Sequence, residues 1–223
     1  MNKIDITYNF IKDYSTEEAF KALRTNILFS CSDVKAITVT SCESNDGKST
    51  VSIELAHSLT QIGKKVLLVD ADMRKSTILA QCTKGVSVKG LSYYLSGQAT
   101  LEEVFFGTQI PGFYIIFSGE YPPNPAELLS TDIFSNLIEE TKKDFDYIII
   151  DTPPLGIVTD AAICARASDG SVIVLNCEKT SMKDAKSVKG QLEDTGTKIL
   201  GCVLNNAKKG TAYYYKKKGY KAY

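Results

Sequence analysis

Ser41-Cys42-Glu43-Ser44-Asn45-Asp46-Gly47-Lys48-Ser49-Thr50 is the stretch on which the fold turns. It is small and polar, and it separates two segments of different periodicity. Before it, Val34 to Thr40 is rich in β-branched residues and reads as a buried strand. After it, Val51, Leu55, Leu59 and Ile62 recur at helical spacing, which predicts a helix over 48–62 with Gly63 able to end it. A loop between a strand and a helix start aims free backbone N–H groups and the positive helix pole at one point, where a phosphate binds. Gly47 permits close backbone approach, Lys48 reaches the β- and γ-phosphates, the Ser49 hydroxyl ligates Mg²⁺ and Thr50 touches the α-phosphate. Ser44, Asn45 and Asp46 complete the candidate nucleotide loop. Its opening position, usually Gly or Ala, is Cys42, so an ordinary strand–turn–helix stands beside this reading.

Two further strands end in carboxylates. Val66-Leu67-Leu68-Val69-Asp70-Ala71-Asp72-Met73-Arg74 closes an apolar run, predicted as a strand over 65–70, with Asp70 and Asp72 two residues apart. Residues at that spacing share a side of an extended segment. Ile148-Ile149-Ile150-Asp151-Thr152-Pro153-Pro154 ends a second run, predicted over 147–151, with Asp151. Ligands of open α/β sheets bind at the C-terminal strand edge. Three aspartates beside a phosphate-loop serine suit Mg²⁺–ATP, because Mg²⁺ takes few carboxylates and completes its shell with water and phosphate oxygens. The alternative is that each aspartate caps a turn or helix.

Around these motifs the chain reads as apolar strands alternating with helices, hence a mostly parallel sheet covered on both faces. Further strands are expected over 114–117, 172–175 and 199–204. A helix is expected over 16–29, opened by a capping box from Ser15 to Glu18, and another from Ala126. Residues 1–14 show no periodicity and are expected to be a loose arm; residues 75–110 are expected to be helices and loops. Length, 223 residues, suits one α/β domain over 1–207 followed by a tail over 208–223.

Net charge is zero but uneven: six lysines and no acidic residue lie from Asn205 onward, leaving about six excess negative charges on the body by subtraction (20 basic against 26 acidic). None of the six cysteines has CxxC or metal-ligand spacing, which predicts mostly buried free thiols in a reducing cytosol. No signal-peptide run and no stretch near the roughly 20 apolar residues of a membrane helix is present. The expected location is the cytoplasm, with recruitment to a membrane only through a partner.

The phosphate loop, the Asp-x-Asp-x-Arg strand and the hydrophobic-Asp-Thr-Pro-Pro strand together resemble the Walker A, A′ and B motifs of the bacterial tyrosine kinases, in their stand-alone form without a fused membrane domain. That resemblance implies a P-loop NTPase fold with three α/β/α layers. Glu18, Lys21 and Arg24 are similar to the family's oligomerisation pattern, with Lys21 where arginine is usual, and Pro123 to Leu129 resembles another family segment. The related partition and septum ATPases carry a signature lysine at the position of Glu43, and a carboxylate cannot stabilise phosphate charge as that lysine does.

The chain ends Tyr213-Tyr214-Tyr215-Lys216-Lys217-Lys218-Gly219-Tyr220-Lys221-Ala222-Tyr223, in which five of eleven residues are tyrosine. Without aliphatic periodicity it is expected to be a flexible tail. Lysine–tyrosine mixtures also suit anionic lipid or single-stranded nucleic acid, but beside an ATP site the tyrosines read as phosphoacceptors and no nucleic-acid partner is expected. The resemblance implies ATP with Mg²⁺ as cofactors, Asp70 as the base, Asp72 and Asp151 on the metal, and Lys48 on the transferring phosphoryl. It implies a ring of subunits phosphorylating one another's tails, a membrane-embedded activator, and control of capsular or exopolysaccharide synthesis. Arg74 reads equally as a residue that orients the aspartates or binds phosphate and as a salt-bridge partner, and His57 as a structural or surface residue. A partition-type ATPase switch and a nucleotide-binding scaffold are the alternatives.

Overall fold

A computed structural model of the protein describes residues 2–30, 33–83 and 86–207. In chain order the elements are β1 (Asn2–Ile4), α1 (Tyr14–Ser30), β2 (Ala36–Ser41), α2 (Lys48–Thr60), β3 (Val66–Asp70), α3 (Ile78–Cys82), α4 (Leu91–Leu95) and α5 (Leu101–Val104). Then come β4 (Phe105–Thr108), β5 (Phe113–Ile116), α6 (Pro125–Leu129), α7 (Asp132–Asp144), β6 (Tyr147–Asp151), α8 (Asp160–Arg166), β7 (Gly170–Asn176), α9 (Met182–Glu193) and β8 (Ile199–Asn205). The strands form one sheet in the order β1-β4-β5-β3-β6-β2-β7-β8. Every pairing is parallel except β4 with β5.

The apolar runs are apolar throughout because the sheet is covered on both faces. Along β3, Val66 and Leu68 pack on the side of α1, α2 and α3, while Leu67 and Val69 pack on the side of α4 to α8. Along β6, Ile149 faces the first layer and Ile148 and Ile150 the second. A third cluster joins Ala161 and Ala165 of α8 to Val188 and Leu192 of α9 over Ile173. The expected mostly parallel three-layer architecture is therefore present. α2 is buried on more than one stripe, since α1 covers its outer side: Ser52, Ile53 and Ala56 are as buried as Leu55 and Leu59, whereas Ile62 is exposed.

The N-terminal segment departs from expectation. Asn2–Ile4 pairs with β4, Asn2 opposite Phe106. The Gln109 side chain brackets Ile6, accepting from its N–H at 2.9 Å and donating to its carbonyl at 2.6 Å. Thr7 N–H donates to the Cys82 carbonyl at 2.7 Å, and Ile11 N–H to Glu54 Oε1 at 2.9 Å. These partners are distant in sequence, so no local period marks the segment, yet it is not a loose arm. Asp13, not Ser15, caps α1: its carboxylate accepts from Thr16 N–H at 3.2 Å and from the hydroxyls of Ser15 and Thr16. Strand β4 lies inside the segment expected to hold only helices and loops; it is four residues long and contains Gly107.

Candidate active site

Parallel strands place their C-terminal ends along one edge, and β2, β3 and β6 are neighbours there. The loop after β2 wraps the start of α2, with Asn45 at φ 66° and Gly47 at φ 91°. Gly47 is required twice over: its backbone is left-handed, and a Cβ would stand 2.0 Å from Asn205 Nδ2. That amide, at the end of β8, donates to the Asp46 carbonyl at 2.8 Å. The Asp46 carboxylate is buried and accepts from Glu43 N–H at 2.8 Å, so it shapes the loop from behind while Ser44, Asn45, Gly47, Lys48, Ser49 and Thr50 line an open cleft of about 340 Å³. Gly156 lets the segment after β6 touch the start of the loop, where a Cβ would meet the Cys42 carbonyl at 2.2 Å.

Asp70 and Asp151 stand opposite each other in register and both are fully buried. Ser49 Oγ donates to Asp151 Oδ2 at 2.7 Å and Ser52 Oγ to Oδ1 at 2.8 Å. Burial, moderated by Lys48 and the two serines, raises the Asp151 carboxyl to about 6. Asp70 accepts from the Ser76 hydroxyl and, at 3.3 Å, from Ser118 N–H, both through Oδ2. Its Oδ1 has no hydrogen-bond partner among the described residues. Burial and then the charge of Asp151 push Asp70 up to about 7, which suits a group that must accept a proton near neutrality. Asp72 faces the cleft, pairs with Lys48 Nζ at 3.3 Å, and turns its chain by accepting from Arg74 N–H and Lys75 N–H at 3.3 and 2.9 Å.

The Arg74 alternatives resolve toward the ion pair: its guanidinium grips Asp160, buried at the start of α8, with two hydrogen bonds of 2.7 and 2.9 Å. Of the three carboxylates Lys48 pairs with Asp72, and Lys75 is a second cation lining the cleft. All the donors are oxygen, Asp70 Oδ1 is buried and unpartnered among the described residues, and a hard divalent cation fits that surplus of negative charge. Among the described residues no group of three or more His, Cys, Asp or Glu could hold a metal alone.

Glu18 and Lys21 form an exposed ion pair at 2.7 Å on α1, whereas Arg24 donates to the Ser58 carbonyl of α2 at 2.6 Å. His57 is structural, stacked on Phe10 with ring centroids 3.9 Å apart. Cys42, Cys82 and Cys164 are buried free thiols, and Cys177 and Cys202 are exposed ones. Tyr213, Tyr214, Tyr215, Tyr220 and Tyr223 lie outside the described residues. Ser52, Ser76, Ser118, Asp160 and Asn205 were not anticipated. Ser52 had a signal, three residues after Ser49 on one helix face; Asn205 ends an apolar strand at the ligand-binding edge; the other three are joined to the site only by folding.

Residues 34–199 match the AAA domain family. The tyrosine-protein kinase CpsD of Streptococcus agalactiae is 45% identical over 89% of this chain and 87% of its own length. The chimerical protein CapA2B2 superposes with a TM-score of 0.82 at 36% identity, covering 89% of this chain and 87% of that one. The kinase domain of the Escherichia coli tyrosine kinase ETK superposes with a TM-score of 0.81 at 33% identity, covering 94% and 79%.

Proposed function

The chain belongs to the bacterial tyrosine-protein kinases of the P-loop AAA type, and from that premise we propose that it transfers the γ-phosphoryl of ATP to tyrosines of its own C-terminal segment, held by another copy. The observation that carries the reading is the pairing of Asp70, a buried carboxyl near neutrality with one free oxygen, with the Lys48–Asp72 and Ser49–Asp151 contacts on the same strand edge. The loop N–H groups and Lys48 take the phosphates. Ser49, Asp72 and Asp151 would hold Mg²⁺, directly or through water; when bound, it would supply positive charge to offset that of the phosphates. Asp70 accepts the proton of an attacking tyrosine, whose hydroxyl otherwise titrates near about 10.

Glu18 and Lys21, exposed on α1, are available to a neighbouring subunit, while Arg24 braces α1 on α2. No described helix is long and apolar enough to cross a membrane; the family likeness supports recruitment by a membrane-embedded activator. Control of capsular or exopolysaccharide synthesis or export follows from the family likeness. Glu43 speaks against a partition-type switch.

Intact mass after incubation with Mg²⁺–ATP tests the reading on the wild type, Lys48→Met and a chain ending at Lys209. Whole-phosphate additions in the wild type alone, mapped to Tyr213–Tyr223, are expected. No addition, even with a membrane-partner segment supplied, would leave an ATPase or scaffold.

A further inference from the structure

Asp70 is fully buried and is braced from a second side. The loop after β5 donates Ser118 N–H to it at 3.3 Å. Three residues on, Tyr121 donates its hydroxyl at 3.1 Å to the carbonyl of Ser76, whose own hydroxyl binds Asp70. This loop walls a groove of about 590 Å³ that shares no lining residue with the nucleotide cleft. Tyr93, Tyr121, Pro122 and Pro123 give it flat apolar walls, Tyr121 being 57% exposed. Its charged side chain is Glu120, which is exposed and within hydrogen-bonding reach of the Tyr93 hydroxyl. No lysine or arginine lines it; nearby Lys89 is neutralised by Glu103 at 2.6 Å.

The C-terminal segment is the complement of this groove, with six lysines, five tyrosines and no acid between Lys208 and Tyr223. We propose that the groove is the acceptor subsite, in which the C-terminal segment of a second copy lies along the Tyr93–Tyr121–Pro122 wall. A lysine flanking the reacting tyrosine meets Glu120, and Glu120 is the residue that selects basic acceptors. The inference rests on the kinase reading above and deepens it. Aromatic and proline faces hold tyrosine rings at small entropic cost, and a rim carboxylate discriminates by charge. Each phosphate added to the segment brings about −1.5 to −2 charges, so a product repels the carboxylate that held the substrate and is released.

The test measures transfer from full-length donor chains to full-length acceptor chains carrying Lys48→Met, over a range of acceptor concentrations. Donors are wild type, Glu120→Gln and Glu120→Lys. Acceptors have either the native segment or Lys216, Lys217, Lys218 and Lys221 all changed to Gln. With the native acceptor, Glu120→Lys should raise KM about tenfold and Glu120→Gln about threefold, with kcat within about twofold. With the glutamine acceptor the wild type should already show the raised KM, and neither variant should add to it. Equal KM for all donors, or a penalty that persists on the glutamine acceptor, overturns the subsite and leaves the kinase. Absence of any transfer by the wild-type donor, with a membrane-partner segment supplied, overturns both.

Discussion

The ends of β3 and β6 are neighbours in one sheet, with Asp70 and Asp151 side by side, yet the two carboxylates are finished differently. Asp151 has both oxygens engaged by serines of α2, the helix that opens the phosphate loop. Asp70 is held through one oxygen by residues of the β3–α3 and β5–α6 loops, and its other oxygen has no partner among the described residues. A saturated carboxylate is fixed and stays ionised more readily; a half-satisfied one in the same burial is poised to take a proton. The same edge thus offers a fixed anchor on one strand and a proton acceptor on the next.

Exchanging either carboxylate should separate the two roles. Asp70→Asn should lower the phosphorylation rate by about 10²- to 10⁴-fold with ATP affinity nearly unchanged. Asp151→Asn should instead raise the Mg²⁺ concentration needed for half-maximal nucleotide binding by at least about tenfold. Transfer assays and nucleotide titrations on both variants read this directly. If both lose rate and binding alike, the distinction fails.

Proton uptake is the next largest effect. Both carboxyls titrate higher in the folded protein than in the unfolded chain, Asp70 near about 7 and Asp151 near about 6. Between about pH 4 and 7 the native state therefore binds more protons, and stability falls as pH rises through that window. The nucleotide-free protein should lose on the order of 2–4 kcal/mol from these groups between pH 5 and pH 8. Asp70→Asn should remove most of that slope, which denaturant melts at the two pH values would show. An unchanged slope would contradict the assignment.

Backbone geometry ranks third. Gly47→Ala forces a left-handed φ and a clash with Asn205, and should cost about 1–3 kcal/mol of stability. Adding Asn205→Ala should return part of that cost, because it clears the clash and leaves the strain. The smallest effect sharpens the comparison most. Ser52→Ala takes one of two bonds from Asp151 and should cost about 1–2 kcal/mol at pH 8. Ser76→Ala should instead move the pH midpoint of the Asp70-dependent slope upward, since that hydroxyl holds the Asp70 carboxyl down.

The two strand ends also differ in how far the sequence reveals them. Val66–Val69 and Ile148–Ile150 are continuous apolar runs closed by aspartate, so the strands, their burial and their ligand-bearing ends are legible residue by residue. The phosphate loop is legible because its function depends on local order, strand then loop then helix. What finishes Asp70 is not legible: Ser118 is 48 residues away and the groove beyond it is assembled from loops and short helices with no period of their own. Arg74 could not be assigned without Asp160, 86 positions on. Strands β1 and β4 are not legible because strands of three and four residues exist only through their partners. Asp13 displaced the expected Ser15 cap because the helix starts earlier, at Tyr14, where the Asp13 carboxylate accepts from Thr16 N–H.

Separating site from acceptor puts the central claim to its most direct test. A donor ending at Lys209 keeps the three aspartates and the phosphate loop but lacks the tyrosines, and a full-length Lys48→Met chain keeps the tyrosines without a working site. Mixed with Mg²⁺–ATP and an activating membrane-partner segment, the two should yield phosphate on Tyr213–Tyr223 of the Lys48→Met chain alone, and neither should be modified by itself. If the mixture stays unphosphorylated while wild-type chains modify themselves at a rate independent of concentration, transfer occurs within one chain and the account of copies serving one another is wrong.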